Sequence, residues 1–326
     1  MNIKYITSEM GFKGKFPKDY PYMRVFESQI YYLDATHLPI TEILMNDKKY
    51  DGDLWWNIGK GGFEKQYISY LFNNFQNTTE LLKRKFDNVF IYQDGEIGWW
   101  NQVDVKLQVW WYNQLSTSDK IFVPNETDVD FYKGMFPDTK IGVMRSIMTD
   151  DGLDKSKFLN KEDRAIVSGP CTYEYNGFPQ VILASNLGIP IDIPPMGQDR
   201  MPKDSWEMAE NIGVNYLEYM TWIDWMYNLS RYSYGFMLMN TTASGSFALN
   251  CAYHGIPCIG DIKADTQRIL FPELSVGTYE IGKGLQLLKK LKNDKVYYND
   301  VSQKAKEMYD LHFTKEEYLN ILNKDF

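Results

Sequence analysis

The sequence predicts an α/β protein made of two Rossmann-like domains with parallel sheets, and three observations carry this. Short runs of β-branched and aromatic residues alternate with helix-period segments from residue 2 onward. The alternation pauses at a polar stretch, Thr149-Asp-Asp-Gly-Leu-Asp-Lys-Ser-Lys, and begins again at Ala165. The chain has 326 residues, enough for about two domains. Strands alternating with helices imply a parallel sheet covered on both faces. The polar stretch reads as a linker, so we expect one domain over 1–155 and a second over 156–326, the last helix being a candidate to pack back on the first.

In the first half, strands are expected at Asn2–Thr7, Asp53–Gly59, Asn88–Gln93, Lys120–Pro124 and Lys140–Met144. Helical periodicity falls between them at Met23–Leu33, Phe63–Phe75, Thr79–Phe86, Gln102–Leu115 and Thr127–Met135. In the second half, strands are expected at Ala165–Ser168, Ile189–Ile193, Phe236–Asn240 and Ile256–Gly260. Helices are expected at Phe178–Leu187, Ser205–Ile212, Thr221–Tyr232, Ser246–His254, Lys283–Lys292, Asp300–Leu311 and Thr314–Leu322. No short internal repeat or low-complexity tract interrupts the pattern.

Composition sets bounds on function. Apolar residues make up 44% and charged residues 24%, which excludes disordered, collagenous and coiled-coil classes. No apolar run reaches the length of a membrane helix, and the N-terminus lacks the apolar core of a signal peptide. Cys171, Cys251 and Cys258 cannot all pair and have no metal-ligand spacing. These features predict a soluble, cytoplasmic protein. The net charge of −8 disfavours a large nucleic-acid footprint without removing a local basic groove. The aromatic share of 16% is high, and suits either an aromatic core or flat surfaces for sugars and bases.

In open parallel sheets ligands bind beyond the carboxyl ends of the strands. Thr241-Thr-Ala-Ser-Gly-Ser246 lies between a buried strand and a helix, where small residues let the backbone approach a ligand and the helix's first amides attract an anion. A phosphate or diphosphate suits that place. The same spacing suits a plain turn capped by Ser244 or Ser246, and spacing alone does not choose. In the first half, Asp94-Gly-Glu-Ile-Gly-Trp-Trp100 follows a strand and offers two carboxylates and two indoles. Glu96 or Asp94 there suits the removal of a hydroxyl proton, with Glu96 reaching further, and Trp99 or Trp100 suits stacking on a ring. The alternative is a solvated turn with a tryptophan packed beneath it.

The order of elements over roughly residues 165–275 resembles the donor domain of GT-B glycosyltransferases. The resemblance runs through Val214–Met220, Thr221–Leu229, Ser233–Asn240 and Ser244-Gly-Ser-Phe-Ala-Leu-Asn-Cys-Ala-Tyr-His-Gly-Ile-Pro-Cys-Ile-Gly260. It implies two domains facing across a cleft and transfer of a sugar from a nucleotide sugar, a co-substrate rather than a cofactor, to a hydroxyl acceptor. That acceptor is a glycan, a small molecule or a hydroxymethylated DNA base. It also implies Ser244, Gly245 and Ser246 at the diphosphate, and Asp265 and Gln267 near the sugar. Asn250 falls at the ribose position, where many members have a glutamate, and the upstream acid of that pair corresponds to Thr242. Gly169 opens a turn resembling the family's first donor-domain turn but lacking its Arg and Lys, which leaves phosphate charge to Arg200 or to helix amides. Gly11 and Gly14 sit where the family has a glycine-bearing loop near the donor phosphates.

Two other classes compete. The departures at Thr242 and Asn250 suit a non-catalytic carbohydrate- or nucleotide-binding protein. Asp51-Gly-Asp53 and Asp128-Val-Asp130 match the spelling of metal-dependent GT-A transferases, in which paired carboxylates hold a divalent ion. However, Asp53 begins a strand and the other pair lies in a helix's first turn, where acids are favoured anyway. We therefore expect no metal. His37 reads as a loop residue and His254 as a helix end. Gly59-Lys-Gly-Gly62 lacks P-loop spacing.

Overall fold

The computed structural model describes residues 2–6, 25–58, 69–93, 104–150, 152–194, 213–241 and 244–325. Contacts divide the chain into two units, Met1–Thr149 with Lys315–Phe326, and Asp150–Thr314. In the first unit the strands are β1 (Ile3–Ile6), β2 (Thr36–His37), β3 (Asp53–Ile58), β4 (Val89–Gln93), β5 (Lys120–Val123) and β6 (Lys140–Val143). The helices are α1 (Val25–Tyr32), α2 (Ile40–Leu44), α3 (Thr78–Lys83), α4 (Val105–Thr117) and α5 (Glu126–Met135), and residues 69–74 are also helical. All six strands run parallel in the order β2-β1-β3-β4-β5-β6.

Strand β3 shows why this sheet is covered on both sides. Its successive side chains point to opposite faces, and both faces are buried from Leu54 to Ile58, Asn57 being the one polar residue of that run. Leu54, Trp56 and Ile58 enter a core with Trp110, Trp111 and Leu115 of α4. Trp55 enters the other core with Tyr5, Tyr92 and Phe122, stacking on Phe122 at 4.7 Å. A strand buried on both faces belongs in the interior of a parallel sheet. Among the described residues of this unit, most aromatic side chains are thus core. His37 lies in β2 and is buried, correcting the loop expected from sequence.

The second unit has β7 (Ala165–Val167), β8 (Ile191–Ile193), β9 (Asn215–Tyr216), β10 (Tyr234–Met237), β11 (Cys258–Asp261) and β12 (Ser275–Val276). Its helices are α6 (Gly177–Ser185), α7 (Trp222–Leu229), α8 (Ser246–Tyr253), α9 (Asp265–Leu270), α10 (Ile281–Asn293) and α11 (Lys295–His312). The parallel sheet has the order β12-β11-β10-β7-β8-β9. Counted from β7, this is the 3-2-1-4-5-6 order of doubly wound nucleotide-binding sheets.

A buried ion pair fixes the amino side of this sheet. Asp192 of β8 is fully buried and accepts from Arg164 Nε at 2.9 Å, Arg164 Nη2 at 3.0 Å and the Tyr232 hydroxyl at 2.5 Å. Burial alone would raise this carboxyl, but the hydrogen bonds from Arg164, Tyr232 and Asn215 hold it below its ordinary value. Burial first, then the bond to Asp192, pushes the Tyr232 phenol up to about 12.

The last helix, α12 (Lys315–Asp325), belongs to the first unit. Tyr318 and Leu322 complete the Trp55 core, and the Tyr318 ring meets Tyr32 edge-on at 5.8 Å. Among the described residues no helix is long and apolar enough to cross a membrane.

Candidate functional site

In the second sheet the strand order reverses between β7 and β10. At such a point the two following helices cover opposite faces, and a crevice opens outside the carboxyl ends of the strands. Here α6 follows β7 and packs with α10, whereas α8 follows β10 and packs with α7, α9 and α11.

The loops at that reversal are bonded to one another. Asn176, in the left-handed region at φ 51°, donates Nδ2 to the Leu238 carbonyl at 2.9 Å. Asn240 donates to the Tyr173 carbonyl at 2.7 Å and accepts from the Tyr279 hydroxyl at 2.9 Å. The Thr241 hydroxyl donates to the Glu174 carbonyl at 3.3 Å. Thr278 donates to the Met239 carbonyl at 3.2 Å and bonds the Asp261 carboxylate. The ends of β7, β10, β11 and β12 therefore form one laced rim, and the exposed rings of Tyr173 and Tyr279 stand on it. A rim held this way loses little freedom when a ligand settles on it.

Gly169 sits in the loop after β7, where a Cβ would come within 2.4 Å of the Tyr175 ring. Cys171, in the same loop, is half-buried; burial raises its thiol despite a hydrogen bond involving Tyr216. Gly245 precedes α8 with φ +77°, which strongly favours glycine. The amides of Ala248 and Leu249 both reach the Gly245 carbonyl, so those of Ser246 and Phe247 stand ahead of the helix's first bonds. Ser246 is exposed and Ser244 half-buried.

Asn250 lies one turn into α8, buried, with Oδ1 accepting from Trp225 Nε1 at 3.1 Å. Asp265 is fully buried in the first turn of α9 and pairs with Arg268 at 2.6 Å. Gly169, Ser244–Ser246 and Asp265 thus follow three adjacent strands at their carboxyl ends. Gln267 departs from the expected place. Its side chain is fully buried and donates to the Cys258 carbonyl at the start of β11, at 2.9 Å, so it braces α9 against the strand.

Gly11, Gly14, Asp94, Glu96, Trp99, Trp100, Arg200 and Thr242 lie outside the described residues. Of the Asp-x-Asp pairs, Asp51 accepts from Asn2 at 3.2 Å and Asp53 from Asn88 at 2.7 Å, while Asp128 is buried against Asn125. Among the described residues no group of three or more His, Cys, Asp or Glu side chains is arranged to hold a metal. Asn240, Thr278 and Tyr279 shape the rim without having been picked out as site residues. The polar end of the Phe236–Asn240 run could have pointed to Asn240, but the two-residue β12 offers no period to place Thr278 or Tyr279.

No protein-family model and no curated protein sequence matches the chain. Solved structures do. The sucrose-phosphate synthase of Thermosynechococcus elongatus superposes with a TM-score of 0.69 at 9% identity, over 99% of this chain and 98% of the other. An alpha-glucosyltransferase in complex with UDP-glucose and DNA containing an abasic site gives 0.61 at 11% identity, over 99% and 98%. The chain has the GT-B fold. A mutant of S. aureus TarM, in complex with UDP among other ligands, gives 0.61 at 10% identity over 83% of this chain. This GT-B chain spans 55% of that structure's length. The reversal point of its second sheet holds Gly169 and Ser244–Ser246, the segments that the sequence resemblance assigns to the donor.

Proposed function

We propose that this protein is a glycosyltransferase that moves a sugar from a nucleotide-sugar donor to a hydroxyl acceptor. The observation that carries the reading is the start of α8 at the reversal of a doubly wound sheet, behind a left-handed glycine. Two amides in that helix's first turn and its dipole suit a diphosphate. In support, the fold matches along its whole length a structure solved with UDP-glucose. In this reading Gly169 and Ser244–Ser246 border the diphosphate, Arg200 adds positive charge, and Asn250 and Thr242 take the ribose side. Asp265 acts near the sugar, and Gly11 and Gly14 contribute to holding the phosphates. Glu96 or Asp94 takes the acceptor proton, and Trp99 and Trp100 receive the acceptor. No cofactor and no metal ion is required, because amides and Arg200 meet the phosphate charge.

The test is a panel of nucleotide sugars assayed for hydrolysis and transfer, with and without EDTA. The acceptors are a glycan, a small polyol and DNA containing hydroxymethylated bases. Turnover that survives chelation supports the reading. Turnover abolished by EDTA and restored by manganese overturns its metal-free form, and binding without turnover across the panel favours a non-catalytic binder. The engagement of Asn250 by the Trp225 indole, at the place where many members of the family have an acid, is the observation on that side.

A further inference from the structure

The second sheet has another pocket, at its amino edge. Its walls come from the segments just ahead of β7 and β10, the end of α8, and α11. It encloses about 370 Å³ and is lined by Lys155, Phe158, Lys161, Tyr253, His254 and Lys306, among others. Lys161, an exposed residue, donates its ammonium to the Tyr232 carbonyl at 2.8 Å. Among the described residues, no carboxylate lies at ion-pair distance from any of the three lysines. The nearby acids are Asp310, on the wall, and Asp150, close to Tyr253.

One buried polar atom on this wall, the Nε2 of His254, lacks a partner. The imidazole of His254 is bonded to the Met226 carbonyl, and its Nε2 is buried with no hydrogen bond. The Tyr253 hydroxyl is likewise buried and is turned toward Asp150. Burial, with Lys161 and Lys306 adding to it, lowers the imidazole to about 3, so the ring is neutral and Nε2 only accepts. Burial, with Lys306 beside it, brings Lys161 down to about 7. Burial, with Asp150 and Asp310 adding, raises the Tyr253 phenol to about 12, so it is a neutral donor. Phe158 meets His254 edge-on at 4.8 Å, which leaves apolar surface beside the polar atoms.

We propose that this pocket binds a phosphorylated monosaccharide, with its phosphate on Lys161 and Lys306 and a ring hydroxyl donating to His254 Nε2. The lysines favour an anion, the bare imidazole nitrogen takes a hydrogen-bond donor, and the aromatic walls suit the apolar face of a sugar ring. Inorganic phosphate meets only the first need and a neutral sugar only the other two. The volume lies within the roughly 300–1,000 Å³ of small-ligand sites. The site is separate from the donor crevice, since it lies at the other edge of the same sheet, and it stands whether or not the chain transfers sugars.

The experiment uses the full chain labelled with ¹⁵N-histidine, in which only His37, His254 and His312 give signals; loss of one signal in His254→Asn assigns it. Glucose 6-phosphate, inorganic phosphate and glucose are titrated by NMR and calorimetry, with and without excess uridine diphosphate. Glucose 6-phosphate should move the His254 Nε2 signal, bind at least about tenfold more tightly than either fragment, and be insensitive to uridine diphosphate. Lys306→Gln, at an exposed position, should weaken binding by roughly tenfold. Equal affinity for inorganic phosphate and glucose 6-phosphate would mean an unspecific anion site. That result, an unmoved His254 signal, or displacement by uridine diphosphate overturns the proposal.

Discussion

Thr266 Oγ1 donates to the Gly245 carbonyl at 3.0 Å and lies 1.7 Å from the point where a Cβ on Gly245 would stand. The start of α9 is therefore pressed against the turn that opens α8, and the glycine is required by a protein neighbour whatever ligand it meets. A bulky residue at 245 cannot serve as a clean probe of donor binding.

Gly245→Ala should be destabilising through both its positive φ and the collision, with the φ alone costing about 1–3 kcal/mol. Thr266→Ala in the same chain should recover part of that loss, because it removes the colliding oxygen. Chemical denaturation of the single and double variants measures the coupling. Additive losses would show that the contact does not govern the turn.

Ser246→Asp separates binding from folding at the same place. A carboxylate at the first turn of a helix favours the helix dipole, so the melting temperature should hold or rise. The same charge repels a diphosphate, so nucleotide affinity should fall by about tenfold or more. Calorimetry with uridine diphosphate reads this; unchanged affinity would remove Ser246 from the donor site.

Asp192 should make stability depend on acid. Its folded pKa is depressed, so its contribution is fully present above the unfolded value of about 3.9. That contribution drains away as pH falls through the folded value. Asp192→Asn leaves Arg164 without its carboxylate and should cost roughly 3–5 kcal/mol at neutral pH. The variant should also flatten the fall in stability below about pH 4. Urea melts across pH 3–7 compare the two slopes, and parallel curves would refute the assignment.

Glu96→Gln or Asp94→Asn should lower the single-turnover rate by about 10²–10⁴-fold, the usual worth of a general base. Donor affinity should be unchanged, because these residues and the donor segments belong to different units. Trp99 or Trp100 substitution should instead raise the acceptor concentration needed. Wild-type rates in both carboxylate variants would show that the proton leaves by another route.

The longer elements were legible because their patterns repeat. The largely apolar run Leu54–Ile58 announces a strand buried on both faces, and Ser246–Tyr253 follows its small-residue turn as expected. Strands β2 and β12 were not legible, since two residues carry no period, and β9 was marked only by the family resemblance over Val214–Met220. The Asp265–Leu270 helix was missed because six residues between turns show less than two helical turns of pattern. At the candidate site, spacing located the Gly245 turn correctly but could not tell depth. Gln267 sits near the right place in sequence, yet its side chain turns into the sheet because the Cys258 carbonyl and the space over Gly260 receive it.

The placement of α12 in the first unit gives the protein a folding order. A ribosome delivers Lys315–Asp325 only after every residue of the second unit. The second unit can therefore reach its native state while the first still lacks Tyr318 and Leu322 from its Trp55 core. Until those side chains arrive, that aromatic face is open to chaperones and to other nascent chains. A stop codon just before Lys315 would leave the second unit intact and the first unit unsealed.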